Sequence, residues 1–402
     1  MIPLVHFEPN AQQHHAIEEG VKWFKKRNDQ VFVIAGFAGT GKTTIAGEII
    51  RQCGLKIEEA AYVAYVGKAA MVLSMRGLPA RTIHSLIYEC IDIPKRDDNG
   101  KIIRNRKGVP LMTKKFILRD SLSPKIKIIV VDEGSMVSDD ILKDLLSFGL
   151  PVLILGDPHQ LPPVFGVSSV MSKPNVILTE IMRQAEDNPI IHFATMARMC
   201  KFDEFRPGNY GGKVFINTYD GIFKSFQLLR MADVIICHYN KTRDTLNPYI
   251  REKVYGKPKD SLVIGDRLIC RENNWGTTLS SNPNMALTNG TIGTVKDINL
   301  EESTKNFITF DFAPEYMPNE CFDQVSLDWR FLRMNYKDRE TYISDHTKFE
   351  FGYVITCHLA QGSQYDNVMV YTERERMRNP RDYSQWLYTA ITRAVDRLII
   401  AL

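Results

Sequence analysis

The chain has 402 residues, with 51 Lys and Arg against 47 Asp and Glu and a formal net charge of +4. A hydrophobic share of 44% beside 24% charged residues excludes wholesale disorder, collagen and coiled coil, and the length suggests two to four domains at about 150 residues each. So small a net charge does not by itself imply a polyanion partner, which leaves that question to local patches.

The amino-terminal stretch MIPLVHFEPNAQQHH has neither a basic nor a long apolar section, so no secretory signal is expected. Short β-branched runs then recur, each ending in a polar cluster. Val31 to Ala35 precedes GFAGTGKT, and Tyr62 to Val66 precedes GKAA. Residues 88–115 differ in texture: Ile91, Ile93, Ile102 and Ile103 flank the turn signal Asp97-Asp98-Asn99-Gly100, which predicts a β-hairpin. Lys101 to Arg119 holds Lys101, Arg104, Arg106, Lys107, Lys114, Lys115 and Arg119 with no acidic residue, a stripe of the kind that contacts phosphates. Ile126 to Val131 precedes DEGS, and Val152 to Leu155 precedes GDPHQ.

A second set follows: Asp233 to Cys237 before HYNKT, Phe351 to Cys357 before HLAQGS, then Asn367 to Tyr371 and Arg397 to Leu402. Two α/β cores with parallel strands are expected, with function at the strands' carboxyl ends. Between the members of the second set, residues 260–350 carry GDRLIC, LTNGTIGTV and FITFDF and predict a small β-rich module. Seven scattered cysteines (Cys53, Cys90, Cys200, Cys237, Cys270, Cys321, Cys357) form no C-x-x-C pair, which suits a reducing cytoplasm rather than a disulfide framework or zinc cluster. No apolar run reaches membrane-spanning length.

The chemistry is concentrated in two places. Gly36-Phe37-Ala38-Gly39-Thr40-Gly41-Lys42-Thr43 matches G-x-x-x-x-G-K-[ST] after a strand and before a helix. In such a loop the backbone N–H groups of Gly36, Ala38, Gly39, Thr40, Gly41 and Thr44 close around phosphate oxygens, Lys42 brings a point charge and Thr43 a ligand for Mg²⁺. Asp132 and Glu133 follow a buried strand. Alone, an acidic pair there is a solvated strand end; behind a P-loop it reads as one carboxylate for Mg²⁺ and one to orient or deprotonate water. ATP and Mg²⁺ are the expected cofactors, with hydrolysis the expected chemistry.

The ordered set GFAGTGKT (36–43), GKAA (67–70), TIHSL (82–86), DEGSM (132–136), GDPHQLPPV (156–164), the arginine of LTEIMRQ (178–184), TCHLAQGSQYDNV (356–368) and WLYTAITRAVDRL (386–398) resembles the superfamily 1 DNA helicases, most of all their RecD and phage Dda branch. The resemblance implies an α/β chain of two tandem RecA-like cores. Residues 1–87 and 116–172 would form the first core and 173–259 with 351–402 the second; 88–115 would be an inserted β-hairpin pin and 260–350 an inserted SH3-like module, with Trp275 a stacking platform. By the same resemblance Gln13 reads the adenine and Gly362 lies at the nucleotide. Gln160 senses the γ phosphate, and Arg183 and Arg393 act as arginine fingers. Lys68, Thr82, His84, Asn240, Thr356 and His358 line the DNA.

Two positions depart from the wider pattern: Met182 stands in place of a stacking aromatic and Gln364 in place of a ribose-binding Glu, which loosens the expectation for base and sugar. Gln13 near the start favours a stand-alone, Dda-like enzyme. The expected activity is 5′ to 3′ movement on single-stranded DNA with unwinding of duplex, in a bacterial or phage-infected cytoplasm. The expected partners are single-stranded DNA, its junctions with duplex, and replication or single-strand-binding proteins, with the protein acting as a monomer in replication, repair or recombination. Three alternatives are carried beside it: a single-strand translocase with little unwinding, a small-molecule phosphotransferase, and a nucleic-acid-binding module with dead ATPase chemistry.

Overall fold

A computed structural model describes residues 8–402 apart from 95, 97–99, 105–107, 111, 164–165, 181–186, 305, 343 and 345. In chain order the strands are β1 (Val31–Gly36), β2 (Ala60–Ala64), β3 (Ala80–Thr82), β4 (Tyr88–Pro94), β5 (Met112–Leu118), β6 (Ile128–Asp132), β7 (Val152–Gly156), β8 (Val176–Leu178), β9 (Gly208–Tyr210), β10 (Val214–Asn217) and β11 (Val234–Cys237). There follow β12 (Arg267–Cys270), β13 (Asn274–Leu279), β14 (Asn282–Leu287), β15 (Ile292–Asn299), β16 (Phe307–Pro314), β17 (Phe322–Asp328), β18 (Phe349–Phe351), β19 (Val354–Thr356), β20 (Tyr365–Tyr371) and β21 (Ala394–Ala401).

Among the described residues they form two six-stranded sheets. The first, β3-β2-β6-β7-β1-β8, is parallel throughout; the second, β19-β11-β20-β21-β10-β9, is parallel except for β9. Each is buried on both faces, and for that reason its strands read as unbroken apolar runs. Ile34, Leu153 and Val130 pack on one side of the first sheet with Ile45 and Ile49, while Val33, Ile154 and Val131 pack on the other with Ile83 and Ile87. The period-two alternation of the strands thus feeds two cores at once.

β8 pairs with β1 at Ile34↔Val176, so the first sheet extends beyond the expected boundary at residue 172. Three residues are too short a run to read as a strand in the sequence. The hairpin also differs from its expectation. β4 pairs with β5, Ile91 facing Lys115 and Ile93 facing Thr113, so the ladder runs on to Leu118, and Ile102 enters only through an isolated bridge to Arg96. Residues 97–99 lie outside the described residues. The long tip is subdivided by the isolated bridges Arg96↔Ile102 and Arg104↔Pro110, with Gly100 and Gly108 each at φ +79°. Glycine adopts that left-handed backbone without a Cβ penalty.

A five-stranded antiparallel sheet, β17-β16-β15-β12-β18, and the β13-β14 pair make up the module between β11 and β19. The run Phe351 to Cys357, expected as a single strand of the second core, is divided at Gly352. β18 joins the module and β19 the core, and a Cβ at Gly352 would lie 3.0 Å from the Leu268 carbonyl carbon. The module is held to the second core by a buried ion pair: Arg251, 1% exposed, donates to Asp266, 0% exposed, at 2.8 and 2.7 Å, and Tyr353 donates to the same carboxylate at 2.9 Å. Removing one partner would strand a buried charge, at a cost of about 3–5 kcal/mol.

Candidate active site

β1 ends at the glycine-rich loop because Gly36 is pressed against β8 and the loop itself; a Cβ there would sit 2.7 Å from Thr40 Oγ1 and 3.0 Å from Leu178 Cβ. Gly39 and Gly41 take φ +82° and +78°, which turns the chain back and opens the helix Lys42–Gln52. Two of the loop N–H groups expected on phosphate are engaged within the protein, Ala38 donating to the Tyr388 hydroxyl at 3.0 Å and Thr40 to Phe37 O at 3.4 Å. That leaves the helix start, whose first N–H groups have no intrahelical partner, as the end that attracts anions. Lys42 Nζ lies on the loop floor, donating to Gly36 O at 2.8 Å and Phe37 O at 3.0 Å. Thr44 is exposed on the first turn of the helix.

Gln13 is 2% exposed and has both polar ends engaged: Nε2 donates to Thr40 O at 3.0 Å, and Oε1 accepts the Asn10 N–H at 3.0 Å. In this structure its amide braces the loop backbone and caps its own helix, Ala11–Lys26.

β6 delivers Asp132 beside the loop, with Thr43 Oγ1 donating to Asp132 Oδ2 at 3.4 Å. A hydroxyl and a carboxylate are hard oxygen donors of the kind Mg²⁺ takes, so Thr43 and Asp132 fit that ion. Glu133 stands in left-handed backbone at φ 53°, a strain of about 1–3 kcal/mol. Its N–H donates to Asp132 Oδ1 at 2.9 Å, and its carbonyl accepts the Met136 N–H at 3.0 Å, which holds it there. Burial raises both carboxyl pKa values above the ordinary range. Lys42 opposes this at Asp132 and Arg393 opposes it at Glu133, where the charge of Asp132 adds to the rise.

The second core closes the site. Helix Pro380–Ile391 starts cleanly, with Asn379 capping it through the Arg381 N–H at 3.0 Å and proline in the first turn. Just past its end Arg393, 4% exposed, donates to Thr389 O at 3.1 Å, Ser363 O at 3.2 Å and Thr392 Oγ1 at 3.3 Å. Its Nη1 is 3.9 Å from Glu133 Oε1. Gln160 joins the two: in the amide orientation that satisfies both neighbours it donates to Glu133 Oε2 at 3.0 Å and accepts from Arg393 Nη2 at 3.2 Å. Gly362, at φ +70°, rests on the first core, where a Cβ would meet Val66 Cγ2 at 2.7 Å and Ala69 Cβ at 2.8 Å. Glu133, Gln160 and Arg393, chosen from three separate motifs, therefore meet beside the loop that carries Lys42. Arg183 and Met182 lie outside the described residues, and Gln364 is exposed.

The residues expected along DNA are less uniform. Asn240, exposed, opens the helix after β11. Thr356, 7% exposed, ends β19, and the register Cys237↔Thr356 brings Asn240, Thr356 and His358 to one sheet edge. Thr82 caps the helix Ile83–Ile87 by accepting the Ser85 N–H at 3.1 Å. His84 sits among Tyr65, Tyr88 and Phe116 with ring centroids 5.8, 5.4 and 5.7 Å away, at the root of the hairpin. Burial lowers the pKa of His84, and burial with neighbouring His238 lowers that of His358, so both imidazoles are neutral near pH 7 and serve as hydrogen-bonding or stacking groups rather than charges. Lys68 is engaged at a three-part junction, donating to Tyr365 of the second core at 3.0 Å and lying 3.6 Å from Glu315 of the module.

Sequence reasoning missed Phe116, 41% exposed at the hairpin root, and Arg198, whose guanidinium lies 3.5 Å from the ring centroid of Phe37 in the loop. Nothing local signals either. Trp275 is 37% exposed on β13.

Residues 8–199 match the family described as an AAA domain, and residues 351–401 match the UvrD-like helicase C-terminal domain. The ATP-dependent RecD2 DNA helicase of Deinococcus radiodurans is 24% identical over 399 residues, covering 92% of this chain and 47% of its own. The ATP-dependent DNA helicase dda of Enterobacteria phage T4 is 28% identical over 286 residues, covering 65% and 60%. The chain thus spans less than two thirds of the length of either. In fold it is similar to Bacteroides Pif1 solved with ssDNA, at 19% identity, 96% and 92% coverage and a TM-score of 0.51.

Proposed function

The chain belongs to the ATP-dependent DNA helicases of superfamily 1, in their RecD, Dda and Pif1 branch, and from that premise we propose that it moves 5′ to 3′ on single-stranded DNA and parts the duplex ahead of it. The observation that supports an ATP-driven motor of two cores is the Glu133–Gln160–Arg393 contact, which joins residues of both cores beside the loop; the 5′ to 3′ direction rests on the branch resemblance alone. A phosphotransferase acting on a small molecule has no use for such a seam.

Thr43 and Asp132 would hold Mg²⁺, which would supply positive charge to the phosphates. Lys42 and the N–H groups of the helix start bind the β and γ phosphates, Glu133 orients water or takes its proton, and Arg393 meets the charge that develops as the phosphoryl group leaves. Because Arg393 is fixed to second-core carbonyls, its engagement couples the chemistry to the angle between the cores. DNA held by Asn240, Thr356 and His358 on one core and by Thr82 and His84 on the other would be gripped alternately as that angle changes. Residues 88–118 are the pin in this reading, with Phe116 and His84 as stacking surface, and the β12–β18 module is the SH3-like insertion.

The test is ATP hydrolysis with and without single-stranded DNA, beside unwinding of duplexes carrying a 5′ or a 3′ overhang. Strong stimulation with unwinding from the 5′ overhang alone is expected. Stimulation without unwinding would favour a translocase, and hydrolysis indifferent to DNA would overturn the reading. Deleting residues 95–108 is expected to leave DNA-stimulated hydrolysis nearly intact while unwinding falls to near background; equal survival of both would remove the pin assignment.

A further inference from the structure

One phenol ties the seam together from a position that none of the roles above uses. Tyr388, on the helix that leads to Arg393, is 2% exposed, and its hydroxyl does two things at once. It donates to Asp157 Oδ2 at 2.5 Å and accepts the N–H of Ala38, in the glycine-rich loop, at 3.0 Å. Asp157 is fully buried and shapes the turn that presents Gln160: its Oδ1 accepts the His159 N–H at 2.9 Å and its carbonyl accepts the Gln160 N–H at 3.2 Å. Beside it, Thr389 Oγ1 accepts the Leu161 N–H at 3.0 Å and Gln361 donates to Leu161 O at 2.9 Å, so the backbone after Gln160 is gripped by the second core from both sides.

We propose that the Tyr388 hydroxyl is a positioning residue that registers the arginine-bearing helix on the phosphate loop and on the Gln160 turn together, so that Arg393 and Gln160 reach the γ phosphate as one unit. The inference rests on the helicase reading of the site and deepens it. The geometry requires a hydroxyl, since only a group that donates and accepts at one atom can serve a carboxylate and an amide N–H together. Burial and the charge of Asp157 hold the phenol proton far above the ordinary tyrosine range, which keeps the donor in place at every working pH. Phenylalanine fills the same volume and removes both bonds.

The test is a cycle of Tyr388→Phe, Arg393→Ala and the double variant, read by single-turnover hydrolysis with enzyme in excess so that slow rates remain measurable. Tyr388→Phe is expected to lower the rate about tenfold with the KM for ATP nearly unchanged, and to add nothing in the Arg393→Ala background, since residues acting as a unit are not additive. Asp157→Asn is expected to reproduce the effect, and thermal midpoints of all variants report folding. Wild-type rates for Tyr388→Phe, or the same fractional loss in both backgrounds, would overturn the inference. Failure of the wild-type protein to hydrolyse ATP would instead overturn the helicase reading on which it stands.

Discussion

Replacing Lys42 with alanine is expected to abolish ATP hydrolysis, with and without DNA, while binding of a labelled single-stranded oligonucleotide is largely retained. The Lys42 ammonium is within hydrogen-bond distance of the loop carbonyls Gly36 and Phe37, on the first turn of the helix that the loop opens. No other lysine stands on this loop, and a half-buried charge aimed at phosphate acts more strongly than one on an open surface. The residues assigned to DNA lie at strand ends and at the hairpin root, so the substitution does not touch them. Turnover at the wild-type rate would remove the nucleotide site from this loop; loss of oligonucleotide binding in parallel would show that the two sites are not separable.

Arg393→Ala is the second large effect. Arginine fingers as a class are worth about 10³ or more in turnover, and a fall of that order in DNA-stimulated kcat is expected, with ATP still binding. The group also has a structural part to play, because its departure removes the donor to Ser363 O in a buried place, while Thr389 O keeps only the Thr392 hydroxyl. Arg393→Lys separates the two contributions. It keeps a cation while losing the planar fork that reaches Thr389, Ser363, Thr392 and Gln160 together, so it is expected to keep its thermal midpoint better than alanine yet recover little of the rate. A lysine variant at full rate would mean that charge alone suffices.

The chemistry was legible where it is local. A phosphate loop needs its glycines and lysine within eight consecutive residues, and an acidic pair needs only to end a strand, so both are written contiguously. The strands themselves were legible because sheets covered on both faces demand unbroken β-branched runs. What escaped is what depends on distant partners. Tyr388 and Asp157 stand 231 residues apart and carry no local signature of their contact. The expected freedom of Lys68 could not anticipate Glu315, a residue of the module that competes for its charge. The extent of the hairpin was misread because its ladder joins Tyr88–Pro94 to Met112–Leu118, outside the turn signal, while the tip carries only the isolated bridges Arg96↔Ile102 and Arg104↔Pro110. Gln13 shows the same limit: the resemblance assigns it to the adenine, but it could not show that both ends of its amide are engaged with Asn10 and Thr40.

The absence of slack at Gly352 has a mechanical meaning. β18 and β19 are successive parts of one extended run, and Arg251 clamps Asp266 close by, so the module is an outrigger bolted to the second core rather than a weight on a string. A rotation of that core by a few degrees becomes a sweep that grows with distance from the pivot and is greatest at the outer strands. The Lys68–Glu315 pair, 3.6 Å apart, is one place where such a sweep would meet the first core, and Gly67 against Thr288 is another.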